Sequence, residues 1–249
     1  MTRQVIPEGA TDLVQRYRRA AAERAVEFID SSMVVGLGTG RTASFAVHRI
    51  GTLLDSGLLR GVRCVPSSRA TAAVARRLGI PMLDPAEQTI TIDITIDGAD
   101  EVDPELNLIK GGGGALLREK VLAQVSRREI IVVDEGKLSP HLGTRHPLPV
   151  EVLPFCWRSQ ADYLEGLGAR VALRQDVRGE PFHSDHGNLI LDADFGPMLH
   201  PAELAGLLGA RGGIVEHGLF LGLATDLIVA GEAGTTHWTS RIWSLQALG

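Results

Sequence analysis

The sequence has few cysteines, no excess of positive charge and no long apolar run. Its 249 residues hold two cysteines, Cys64 and Cys156, far apart and without C-x-x-C spacing. That spacing argues against a disulfide framework and fits a reduced compartment. Acidic residues outnumber basic ones 30 to 25, giving a formal net charge of -5, so no global field attracts nucleic acid or an anionic membrane. Any anion must be captured locally. No apolar run approaches the ~20 residues of a membrane span, and the opening segment Met1-Thr-Arg-Gln-Val-Ile-Pro-Glu has no apolar core. Neither a leader nor a membrane partner is expected, and the expected location is cytoplasmic.

What is present is an ordinary globular composition, 44% hydrophobic and 22% charged, in a chain long enough for one substantial core and a smaller satellite. Asp12 to Phe28 carries apolar residues at helical spacing. The period then changes. Met33-Val-Val-Gly-Leu reads as a strand, Gly38-Thr-Gly-Arg-Thr as a glycine-rich turn, and Ala43 to Leu54 as a helix. A second unit follows, with a strand at Arg63-Cys-Val-Pro, N-cap candidates Ser67 and Ser68, and a helix from Ala70 to Leu78. Ile90, Ile92, Ile94 and Ile96 alternate with Thr and Asp through Asp97, the pattern of a strand with unlike faces. After Lys110 and Gly111 to Gly114 come a helix over Ala115 to Val125 and an apolar run from Glu129 to Asp134 of the kind buried in a parallel sheet. This alternation predicts an α/β fold built on an open, doubly wound, Rossmann-like sheet.

Pro147, Pro149 and Pro154 mark a boundary. Beyond it lie a helix from about Arg158 to Leu167, strands near Ala169 to Arg174 and Asn188 to Asp192, and a helix from Pro201 to Leu208. The expected organisation is residues 1–146 plus 218–249 as the large domain and 147–217 as a small α+β domain of ferredoxin-like form. Strands near Gly218 to Leu223 and Thr225 to Ala230 are expected to return to the main sheet.

The candidate chemistry collects at strand ends. Gly36-Leu-Gly-Thr-Gly-Arg-Thr-Ala joins a strand to a helix N-terminus, where free amides and the helix dipole favour an anion, and Thr39 and Thr42 add hydroxyls. The other reading is a turn that needs glycine only for its backbone angles. Gly38-x-Gly40-x-x-Ala43 also fits the loose dinucleotide fingerprint, but the second strand ends in Pro66-Ser-Ser where an acid belongs. Asp97, Asp100 and Glu101 crowd three carboxylates at one strand end, as a site or as a solvated acidic loop. Lys110 before four glycines sets amide donors beside an ammonium, suited to a developing oxyanion. Glu119 lies about 160° round its helix from Val121, off the presumed apolar stripe and free to face the glycine run. Lys137 follows the apolar strand and is either a ligand contact or a solvated lysine. His183, His186 and His200 lack metal-site spacing, and no metal is assigned.

Taken together, these segments resemble the A-type ribose-5-phosphate isomerases. The likeness runs through Gly36-Leu-Gly-Thr-Gly-Arg-Thr-Ala, Asp97-Gly-Ala-Asp-Glu, Leu108-Ile-Lys-Gly-Gly-Gly-Gly-Ala-Leu-Leu-Arg-Glu-Lys, Val133-Asp-Glu-Gly-Lys-Leu and Leu148-Pro-Val-Glu-Val-Leu-Pro. The resemblance implies catalysis without metal or organic cofactor, in a homodimer or homotetramer acting on a small sugar phosphate. It implies that Glu119 is the general base working through a cis-enediolate and that Asp97 assists ring opening. Asp100 and Lys110 hold substrate oxygens, helped by the amides of Gly111, Gly112 and Gly113. Gly38, Thr39, Gly40, Arg41, Thr42 and Lys137 serve the phosphate and its neighbouring hydroxyls. Two departures stand out: Arg41 occupies a position where the family commonly has Ser, and Arg18 is the nearest counterpart of a first-helix lysine. A related class of α/β domain senses sugar phosphates without turning them over, and it remains the alternative.

Overall fold

The computed structural model describes residues 8–87 and 89–240, with side chains from Asp12 onward. The opening residues, for which no leader is expected, and residues 241–249, assigned above to the large domain, lie outside the described residues. The elements in order are α1 (Glu8–Val26), β1 (Val34–Leu37), α2 (Ala43–Asp55), β2 (Arg63–Pro66), α3 (Arg69–Arg77), β3 (Ile92–Asp97), β4 (Glu101–Val102), β5 (Leu108–Ile109), α4 (Leu116–Val125) and β6 (Ser126–Asp134). There follow β7 (Leu148–Val152), α5 (Trp157–Gly166), β8 (Arg170–Leu173), β9 (Leu189–Asp194), α6 (Pro201–Gly209), β10 (Ile214–His217), β11 (Leu219–Phe220), β12 (Asp226–Gly231) and β13 (Gly234–Thr239).

Among the described residues the main sheet has six strands in the order β13-β12-β6-β3-β1-β2, parallel except for the edge strand β13. The chain leaves β1 toward β2 and then crosses back to β3. Its connections therefore diverge at the C-terminal ends of β1 and β3, where open α/β sheets form a crevice. One face of the sheet is covered by alanines and aliphatics of α1 and α2 packed on Ile94, Ile96, Ile130, Val132 and Ile228. The other face, with Ile131, Val133, Leu227 and Val229, packs under Ala123 of α4 and a three-stranded sheet in the order β11-β5-β4. Small residues on α1 let that helix lie close to the sheet, which carries one of its side chains, Arg18, to the crevice.

Residues 148–217 form a four-stranded antiparallel sheet, order β10-β7-β9-β8, with α5 and α6 packed against it. This is the β-α-β-β-α-β arrangement of ferredoxin-like units.

Two readings of the sequence need correction, and two strands lie where none is expected. The proline-rich stretch is not only a boundary, because it contains β7, a central strand. Pro149 is tolerated there because pairing with β10 begins at Val150. The segment near Gly218 does not return to the main sheet: β11 joins β5, and only β12 goes back. A strand not expected from the sequence, β13, pairs with β12 at the edge. Finally, β3 has no solvated face over Ile94 to Asp97; Thr95 and Asp97 are as buried as the isoleucines.

Candidate active site

The crevice at the ends of β1 and β3 is where the predicted groups meet. The amides of Thr39 and Gly98 donate to Asp97 Oδ1 at 3.0 and 2.7 Å. Gly38 is required for this approach, since a side chain on it would collide with Asp97. Gly40, at φ +107°, then turns the chain into α2, whose first turn has no side-chain cap. The Ser44 and Phe45 amides are bound to the Gly40 and Thr42 carbonyls, so the backbone that lines the crevice here is the turn itself, Thr39 to Thr42.

Thr39 departs from expectation. Its hydroxyl is engaged with Ser67, Ser68 and Thr71 at 2.8, 2.8 and 3.0 Å, and Ser68 in turn caps α3. These hydroxyls lie at the end of β2, where a dinucleotide site would carry its acid.

Lys110 leaves β5 with its amide bound to the Gly218 carbonyl at 2.9 Å. Its side chain is 2% exposed and donates to the Gly98 carbonyl; Nζ stands 3.0 Å from Asp97 Oδ2 and 3.3 Å from Glu119 Oε1. The Phe220 ring lies 5.5 Å away, closing its flank. Burial opposes the charge on Lys110, but Asp97, Glu119 and Glu129 outweigh it and hold the ammonium above its ordinary value.

Glu119 faces inward, though not for the reason the sequence suggested. Val121 is 48% exposed, whereas Leu116, Glu119, Lys120, Leu122 and Ala123 form the buried side of α4. Lys120, also buried, donates to the His217 carbonyl at 2.6 Å and pins α4 against β10. Burial raises the Glu119 carboxyl to about 8; Lys110 pulls it down, while Asp97 and Asp100 push it up. A carboxyl so placed can change protonation near neutral pH.

The glycine run is clamped rather than loose. The Gly112 amide donates to Asp100 Oδ2 at 2.7 Å, and the Arg174 guanidinium holds the Gly111 and Gly112 carbonyls at 2.8 and 3.1 Å. Phe182 presses on Gly114, at φ +77°, where a side chain would not fit. The four-stranded unit thus fixes the backbone that leads into α4.

These elements enclose a cavity of about 390 Å³. Among the predicted residues, Thr39, Gly40, Arg41, Thr42, Asp100, Lys110, Gly112, Gly113, Glu119 and Lys137 line it, as does Arg18. Asp97, Gly38 and Gly111 are not in the lining; Asp97, 1% exposed, lies behind Lys110. Glu101 is turned away and buried, accepting the amides of Gly143, Arg145 and His146 at 3.0, 3.1 and 3.2 Å. That anchor brings His146 to the cavity wall, 3.5 Å from Lys137 Nζ, a contact hidden from sequence reasoning in the proline-rich segment. Arg18 is held by Asp134 at 3.0 Å. Burial lowers both Lys137 and His146; Asp100 opposes this for Lys137, and Lys137 adds to it for His146. Arg18, Arg41, Lys137 and His146 therefore make one end of the cavity, Lys110 and Glu119 the other, with Asp100 felt by both. His183, His186 and His200 do not converge, and the described residues contain no group of three or more His, Cys, Asp or Glu arranged to hold a metal ion.

The family model for ribose 5-phosphate isomerase A (phosphoriboisomerase A) matches residues 63–234. The chain belongs to this family. A ribose-5-phosphate isomerase A from Desulfatibacillum aliphaticivorans is 55% identical over 217 residues, 87% of this chain and 94% of the relative. One from Chloroflexus aurantiacus is 54% identical over 230 residues, 92% and 96% of the two chains. Among solved structures, a D-ribose-5-phosphate isomerase in complex with phospho-erythronic acid superposes with a TM-score of 0.88 at 35% identity, covering 91% of this chain and 99% of that one. The ribose 5-phosphate isomerase of Plasmodium falciparum gives 0.87 at 36%, with the same coverage. For this member of the ribose 5-phosphate isomerase A family, the matched span takes in the glycine run, Lys110, Glu119 and Lys137, but starts after Arg18 and the first glycine-rich turn.

Proposed function

We propose that the chain interconverts D-ribose 5-phosphate and D-ribulose 5-phosphate through a cis-enediolate, as an aldose-ketose isomerase of the non-oxidative pentose phosphate pathway. The observation that carries this reading is a buried carboxyl, Glu119, meeting a buried ammonium, Lys110, on the wall of a cavity whose other end is cationic. The reaction takes a proton from C2 and delivers one to C1, while a hydroxyl proton passes from O2 to O1. Glu119 is the base that removes and returns the carbon-bound proton. Negative charge builds on O1 and O2 on the way, and Lys110 stabilises it from a buried position where such charge is felt most strongly. Asp100, oriented by the Gly112 amide, holds a substrate hydroxyl. Asp97 assists ring opening from behind, acting through Lys110 because it does not reach the cavity itself.

At the other end, Arg18, Arg41 and Lys137 with the backbone of the turn at Gly40 to Thr42 take the phosphate. The ligand of the solved relative, phospho-erythronic acid, carries two anionic groups, a phosphate suited to the cationic end and a carboxylate suited to Lys110. We assign no metal or organic cofactor to the reaction. A cytoplasmic location and a homodimer or homotetramer belong to the same reading; no helix among the described residues is long and apolar enough to cross a membrane. Sedimentation of the purified chain tests the assembly.

The test of function is turnover of ribose 5-phosphate with a chelator present, wild type beside Glu119→Gln. Turnover that survives chelation and collapses in a variant that still binds phospho-erythronic acid is the expected result. A wild type that binds the ligand and never turns over substrate is a sensor, and the proposal fails.

A further inference from the structure

Below the cavity lies an ionisable group that the proposed mechanism does not use. Glu129 on β6 is in register with Thr95 on β3. Ile94 and Ile96 of β3, with Ile130 and Val132 of β6, point to the α1 side, so Thr95, Asp97 and Glu129 point to the α4 side. The Glu129 backbone is bound to Thr225, yet its side chain is 1% exposed and neither carboxyl oxygen has a hydrogen-bond partner among the described residues. Nearby, Glu119 Oε2 is likewise a buried acceptor without a donor among the described residues, whereas Asp97 Oδ2 faces Lys110 Nζ at 3.0 Å.

The charged groups facing Glu129 are Asp97 from β3, Lys110 from the end of β5 and Glu119 from α4. On β12, Asp226 is committed to Arg128 and His237. Three carboxyls around one ammonium, all ionised, would leave two negative charges uncompensated in a dry site, a costly arrangement. A single proton among the carboxyls removes most of that cost and gives the orphan acceptors a donor. Burial favours the neutral form of Glu129, as do Asp97 and Glu119, against Lys110.

We propose that Glu129 is a positioning residue: a neutral carboxylic acid beneath the cavity that donates its proton to the unpartnered oxygen of Glu119 and so sets the pH at which Glu119 becomes a base. This deepens the isomerase reading and rests on Glu119 as the base. Held neutral, Glu129 leaves the charge of Lys110 to Asp97 and Glu119. Ionised, it would repel Glu119 and push its proton loss to higher pH.

A stability consequence follows. The fold raises the Glu129 carboxyl above its ordinary value near 4.5. Its contribution is complete below pH 4.5, where the unfolded chain is also protonated, and is lost as pH rises toward the folded value. Glutamine has the same shape without that loss.

The test uses Glu129→Gln and Glu129→Leu in the full chain. Infrared absorption of protonated carboxylic acid at neutral pH, to which Glu119 also contributes, should lose part of its intensity in Glu129→Gln. That variant should melt above wild type at pH 8, with the gap closing toward pH 4.5, and should keep the acid limb of the kcat profile. Glu129→Leu, neutral but without a donor, should lower kcat about tenfold at constant KM, the scale of one hydrogen bond to a charged group. An infrared band unchanged in Glu129→Gln, or a lower melting temperature at pH 8, overturns the proposal. So does a wild-type profile in both variants. If Glu129→Leu does not fold, the infrared and melting comparison of Glu129→Gln decides. These readouts need no turnover, whereas loss of turnover in Glu119→Gln judges the base assignment separately.

Discussion

Lys110 and Lys137 line opposite ends of one cavity, and their surroundings give them different work. Lys137 is half-buried among other cations, Arg18 and Arg41, and burial lowers its affinity for a proton. Lys110 is almost wholly buried, yet the acids around it more than offset the loss of water and keep it charged. The first setting makes a site that holds an anion already present. The second makes a site that answers charge appearing during a reaction, because dry surroundings magnify each interaction. Substitutions at the two ends should therefore separate, with losses in kcat at the buried end and in KM at the cationic end.

The largest expected effect is that of Glu119→Gln, a fall in kcat of about 10³-fold with binding retained, measured by steady-state kinetics and calorimetry with phospho-erythronic acid. Next is Lys110→Met, which should lower kcat by about 10²-fold. It also leaves Asp97 and Glu119 buried without their cation, costing roughly 3 kcal/mol of stability in a denaturant melt. A kcat loss with unchanged stability would break the view that one ammonium serves both purposes. The pH profile sharpens the comparison further. Because Glu119 must be ionised and its carboxyl is raised to about 8, kcat/KM should climb through the neutral range rather than level off above pH 5. At the cationic end, Arg18→Ala should raise KM about tenfold with kcat nearly unchanged. The smallest effect is expected from His146→Gln, a shift in KM of about twofold.

Much of this geometry was legible from local sequence. The glycine-rich turn, Asp100, and Lys110 with its glycine run could be found because each sits where a strand passes into a turn or helix, and backbone demands there are written in residue type. Glu119 was found by a sound angle and a wrong premise, since its helix hides the polar side and exposes Val121. The sequence-level pattern cannot tell which side of an even-handed helix meets the rest of the protein. His146 was missed because its place depends on Glu101, far away in sequence, accepting three amides of one loop. Glu129 read as the first residue of an apolar strand, and only the pairing of β3 with β6 beneath α4 makes it a neighbour of the base. Strand β7 was obscured by its prolines, and β13 by its polar, exposed residues at a sheet edge.

The central claim is that a carboxylate moves a carbon-bound proton through an enediolate in a cavity open to solvent. Turnover of ribose 5-phosphate in heavy water, followed by NMR, tests it most directly. The account predicts solvent deuterium at C1 of the ribulose 5-phosphate formed by wild type, and neither turnover nor exchange in Glu119→Gln. Full turnover in wild type and Glu119→Gln alike, with no deuterium entering the product, would mean that hydrogen passes directly from C2 to C1, and the role given to Glu119 would be wrong.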